Sequence, residues 1–234
     1  MAAPAPEQIV QEIKHGSHWR FVARPSRYDP DRVASNVDGA ELVDKRRVSL
    51  RGWDCPCVEP AGPEYGSGWT GSTTEYGLHR EHWRLYHSGQ FVHLCSYEED
   101  LWIEQGLATP RFAGAKLLWI VSAVYRLTEY LLFVSGLAAD HVYDDGIVLS
   151  LTLTGTMDRH LAFSEGRRSL FQDYRCHDEP LSLPDRTLAA EELIATAPQV
   201  ALGCALEIFR RFGWSQPPID VLREDQRKLI ERRL

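Results

Sequence analysis

Cysteine is scarce and unpaired in this chain: five in 234 residues, an odd number with no spacing that frames disulfides or a metal finger. Cys55 and Cys57 stand closer together than the Cys-x2-Cys of a zinc knuckle, and no second pair follows at finger spacing, so no metal ligand set is assigned. The N-terminus, MAAPAPEQIV, has neither a basic nor an apolar leader region, and the expected compartment is the reducing cytoplasm. A long charge-free apolar run is also missing. The nearest approach, 117–139, carries Arg126 and Glu129 near its middle, each costing about 2.5–3.5 kcal/mol on insertion. A buried helix of a soluble protein is therefore expected there, and no membrane partner.

Signature glycine and nucleophile motifs are absent as well. There is no G-x-S-x-G elbow, Walker A loop, Rossmann fingerprint or HExxH helix, and GSGWTGS at 66–72 lacks the lysine of a phosphate loop. No cofactor is expected. Positive charge is short overall, with a net charge of -7 and a pI near 5.7, so a nucleic-acid surface would have to be a local patch.

What is present is alternation. The run 78–97, LHREHWRLYHSGQFVHLCSY, reads as a β-hairpin turning at Ser88-Gly89. A two-residue turn pairs Leu85 with Val92 and Trp83 with Leu94 on an apolar face. It pairs Tyr86 with Phe91, Arg84 with His93, His82 with Cys95 and Arg80 with Tyr97 on the other. Strands are also expected at 18–24, where Trp19, Phe21 and Ala23 alternate with Arg20, Val22 and Arg24, at 47–53 in RVSLRGW, and at 147–154. A second hairpin is expected from 159–163 and 170–176.

Helical spacing marks 7–14, closed by Gly16, and a stretch opened by Asp29-Pro30 and running toward Lys45. It also marks the long apolar helix, a helix from Thr196 and Pro198 to Phe212, and a last helix over 219–233. In the long helix Ser122, Arg126 and Glu129 form one polar stripe, expected to be its wet face. The acidic link after the hairpin is expected to close at Pro110, and 54–77, without periodicity, is expected to be a long loop.

Runs of strands with helices between and after them predict an α+β fold: an antiparallel sheet from hairpins, with a central buried helix and C-terminal helices packed on it. The chain reads as one domain over 1–234, or as two packed halves, 1–110 rich in sheet with the loop 54–77, and 111–234 with the helix and second hairpin.

If the early strands share one sheet, Arg20, Arg24, Arg47, Arg51, Arg80 and Arg84 stand on one face with His82, His93, Tyr86, Phe91 and Tyr97. Guanidinium forks suit phosphate or carboxylate, and rings among them suit stacked bases. The expected function is a non-catalytic binding or accessory subunit that uses this face for a nucleic acid, a nucleotide or an acidic protein partner. Two other expectations stand beside it. One is a metal-dependent hydrolase or nuclease with His82, His93 and nearby acids; the other is a purely structural interaction module.

Overall fold

In the computed structural model, which describes residues 5–107, 114–164 and 168–233, the protein is α+β. An antiparallel eight-stranded sheet is built from β1 (His18–Pro25), β4 (Glu64–Gly66), β5 (Trp69–Tyr76), β6 (His79–Tyr86), β7 (Phe91–Ser96), β9 (Ile147–Leu153), β11 (Leu181–Ser182) and β12 (Arg186–Leu188). The order is β11-β9-β1-β7-β6-β5-β4, with β12 also on β9. Two small two-stranded pieces complete it: β2 (Val48–Ser49) with β3 (Asp54–Cys55), and β8 (Leu117–Trp119) parallel to β10 (His160–Ala162). Pro110 lies outside the described residues.

The helices divide between the sheet's two faces. On one face α1 (Pro6–His15) seats Ile9 and Ile13 against Leu94. On the other lies α4 (Ile120–Ala139), with Tyr130 stacked on Phe21 at 4.4 Å and Phe133 against Phe91 at 4.7 Å. Behind α4 pack α5 (Ala190–Arg211), kinked at Thr196 just before Pro198, and α6 (Ile219–Ile230); α2 (Asn36–Arg46) and α3 (Glu98–Glu104) sit at the edges. Both α4 and α5 are long and apolar enough to cross a membrane, with a mean hydropathy of 1.3 each. Here they are core elements, buried against the sheet and each other.

Five expectations change. The turn of the β6–β7 hairpin is one residue longer than Ser88-Gly89. Gly89 N donates to Tyr86 O and Tyr86 N to Gln90 O, both at 2.9 Å, so His87-Ser88-Gly89 is a three-residue loop with Gly89 at φ 78°. The register slips by one, pairing Leu85 with Phe91, Trp83 with His93 and Glu81 with Cys95. One residue of slip exchanges faces. Phe91 wins the buried side because its ring fills the space before Phe133 and Tyr130, which Val92 is too small to fill.

The stretch 54–77 is not a loop throughout, since Trp69–Tyr76 pairs with all of β6. Thr70, Ser72, Thr73 and Thr74 are buried there, and their β-branched or small side chains suit a pleated surface without an apolar alternation to announce it. The helix expected from Asp29-Pro30 begins instead after Ser35, whose Oγ caps Asp38 N, while Asp29 Oδ1 accepts from Asp31 N in a turn. RVSLRGW does not join the main sheet: Val48–Ser49 pairs only with Asp54–Cys55, and this small piece lies over α4. The 159–176 hairpin is reduced to a single bridge, His160 to Arg175.

Candidate functional site

Register decides which side chains meet. On the α1 face of the sheet stand Arg20, Arg24, Arg80, His82, Arg84 and Tyr86, six of the residues expected to share a surface. Most are engaged with protein groups: Arg80 with Glu75 and Glu12, Arg24 with Asp185 at 3.6 Å, and Arg84 over the Trp69 ring at 3.9 Å. His82 is buried, accepts or donates with Thr73 Oγ1 at 2.9 Å, and is pushed down to about 4 by desolvation and the Arg84 charge.

Phe91 and His93 are on the opposite, buried face because of the slip, so His82 and His93 do not converge and Cys95 faces Glu81 rather than His82. Arg47 lies past the end of α2, paired with Asp44 and Asp54. Arg51 has left the sheet altogether.

Arg51 goes to α4. Its Nε and Nη2 donate to the two Glu129 oxygens at 3.0 and 2.7 Å, and one turn earlier Arg126 donates to Glu98 at 2.6 Å and to Cys95 Sγ. The stripe expected to be wet is therefore buried at Arg126 and Glu129, because the β2–β3 excursion lies across it and supplies the counter-charge. Only Ser122 borders open space.

That space is a cleft of about 540 Å³. Arg51, Trp53 and Glu98 form one wall, Ser122 and Tyr125 of α4 the floor, and Phe163, Ser164, Arg168 and Asp225 the far side. The Arg51 guanidinium lies 4.7 Å from the Trp53 ring and 5.8 Å from Tyr125, while Arg168 is forked onto Asp225 and lies 5.9 Å from Phe163. Cations held by carboxylates between ring faces can offer charge and stacking to the same ligand. Trp53 and Arg168 carried no periodic signal, and only their place beside α4 unites them.

Sharing Arg51 and Trp53 with the cleft is a narrow space of about 10 Å³, the scale of a single water-sized sphere. Around it stand His79, Glu81, His93, Arg126, Glu129, Cys55 and Tyr130. His79 Nε2 and His93 Nε2 both reach one Glu81 oxygen, at 2.7 and 3.1 Å. Burial alone would raise the Glu81 carboxyl, but the His93 and His79 charges and their hydrogen bonds outweigh it and hold the group well below the carboxylate range. Burial pushes the Cys95 thiol up to about 12 and the Cys57 thiol to about 11, which excludes a ready thiolate nucleophile at either.

Comparison with known proteins returns no match to a family model, to a curated protein or to a solved structure.

Proposed function

We propose that this chain is a non-catalytic binding subunit whose ligand is a mononucleotide-sized anion with a planar ring, seated in the cleft between Arg51, Trp53, Tyr125 and Arg168. The observation that carries this is Arg51 itself: a guanidinium locked by Glu129 and flanked by two aromatic rings at the wall of an open cleft. A cation fixed before the ligand arrives loses little freedom on binding. About 540 Å³ lies within the range of small-molecule sites, and the net charge of -7 disfavours a long polyanion over a small one.

The expected binding function thus keeps its chemistry of arginine and aromatic groups but moves from the sheet face to the far side of the core. The sheet-face arginines mostly hold acidic or aromatic neighbours on an open face; Arg51 and Arg168 hold such neighbours too, but at the walls of a cleft that also presents Trp53.

Calorimetric titration with adenosine, guanosine and cytidine monophosphates, against inorganic phosphate as a control, tests this. At least one mononucleotide is expected to bind at a single site more tightly than phosphate. Arg168→Ala, made together with Asp225→Asn so that no buried carboxylate loses its counter-charge, is expected to weaken that binding about tenfold or more, equivalent to about 1.4 kcal/mol. Absence of mononucleotide binding, or equal affinity in this double variant, overturns the proposal.

A further inference from the structure

Strands β6 and β7 each place two potential ligands two residues apart on the buried face: His79 and Glu81 in H-x-E, His93 and Cys95 in H-x-C. Residues at i and i+2 share a face, and Glu81 is directly opposite Cys95. The donor atoms of His79, Glu81 and Cys95 all lie within 4.8 Å of one another; His93 stands outside that group of three but its Nε2 reaches the same carboxylate oxygen at 3.1 Å, so it is the nearest candidate for a fourth donor. From this convergence we infer a buried site for one divalent transition-metal ion, of the zinc class, held by His79, Glu81, Cys95 and His93. This goes beyond the binding cleft and does not depend on it.

Two further observations point to an occupant. A small space bordered by His79, Glu81 and His93 is sized for one ion or water. The hydroxyl of Tyr130 and the Nδ1 of His79, both beside that space, are buried without hydrogen-bond partners, and Tyr130 is almost wholly enclosed. Such orphaned polar atoms are costly in a core and mark places where a further group belongs.

Charge accounts agree. An M²⁺ ion with the Glu81 carboxylate and a Cys95 thiolate is neutral, and the flanking pairs Arg51 with Glu129 and Arg126 with Glu98 are each neutral too. Two imidazoles, one carboxylate and one thiolate make a mixed set suited to zinc-class ions rather than to calcium or magnesium. With His93 as the fourth donor no position stays open, and the inferred centre is structural, tying β6 to β7 beneath α4.

Loading is a proton exchange. The S–H bond of Cys95 breaks and the Sγ–metal bond forms with the sulfur electron pair; each ligating imidazole gives up the Nε2 proton it holds toward Glu81, with one proton kept or gained at Nδ1, so that its lone pair is free for the metal; the displaced protons leave to solvent and nothing is oxidised or reduced. The Arg126 guanidinium, already donating to Cys95 Sγ, favours the thiolate that results.

The test is titration of the purified full-length chain, freed of metal by chelator, with cobalt(II) followed by zinc. One equivalent of cobalt is expected to bind with a thiolate-to-cobalt charge-transfer band and the visible bands of a tetrahedral ion, and zinc is expected to bleach both. Cys95→Ser is expected to abolish the charge-transfer band, while Cys204→Ser, in α5, retains it. Because the unaltered chain gives the first readout, misfolding of a variant cannot rescue the idea. No stoichiometric cobalt, or a charge-transfer band that survives in Cys95→Ser, overturns the assignment.

Discussion

Glu129→Leu is expected to lower the unfolding free energy by about 3–5 kcal/mol, because it leaves the Arg51 guanidinium buried without its counter-charge. The pair is deep: 9% of the Arg51 side chain and 2% of that of Glu129 reach solvent, and both carboxylate oxygens are used. Arg126 stands one turn away on α4, so the change also places two cations near each other with only Glu98 between them to balance. Removing both partners is a different matter. Arg51→Met with Glu129→Leu is expected to recover most of the lost stability, since an apolar pair of similar volume needs no desolvation of charge. Urea unfolding of the two single variants and the double one reads this directly; a Glu129→Leu loss under about 1 kcal/mol would mean that the pair is solvated and the cleft wall not preorganised.

Glu99→Gln is expected to do the reverse, and only at higher pH. The Glu99 carboxyl is buried at the start of α3, and burial, reinforced by the neighbouring Glu98 charge, raises it to about 7. A folded-state value above the ordinary 4.5 means that the unfolded chain releases this proton first. Stability from this group is therefore complete at pH below about 4.5, declines as pH rises from there to about 7, and stays reduced above. Glutamine keeps an oxygen to accept from Trp119 N but has no charge to bury. At about pH 8 the variant is expected to be more stable by about 3 kcal/mol, with the gap closing toward about pH 4. A gap that does not change with pH would assign the gain to packing instead.

Much of the scaffold is legible in the amino-acid order because its long elements obey a single period. In β1, β9 and α4 the alternation or helical spacing of large apolar groups is unbroken, and the core follows it: Trp19, Phe21 and Ala23 face inward with Leu149, Leu151 and Leu153. Strand β5 is opaque because its buried side chains are threonine and serine, which read as turn formers when burial is unknown. The departure of Arg47 and Arg51 from the sheet is equally hidden, since a two-residue strand such as β2 carries too few positions to distinguish it from a longer one.

The candidate site is less legible still, for a geometric reason. His79, Glu81, His93 and Cys95 are each visible as ligand types, but whether they converge depends on a turn of two or three residues at His87-Ser88-Gly89. Glycine at positive φ suits both turns. Only the fit of Phe91 against Phe133 and Tyr130 chooses between them.

That register is the claim on which the buried cluster rests, and it can be measured without reference to any ligand. The Tyr86–Gln90 closure makes Leu85–Phe91, Trp83–His93 and Glu81–Cys95 the non-hydrogen-bonded pairs, whose α-carbons approach to about 4.5 Å. In an isotope-labelled sample, Hα–Hα Overhauser cross-peaks are predicted between Trp83 and His93 and between Glu81 and Cys95. Hα–Hα peaks pairing Arg84 with His93 and Tyr86 with Phe91 instead, the non-hydrogen-bonded pairs of a two-residue turn, would contradict the account, returning His93 to the face of Arg84 and dispersing the cluster beneath α4.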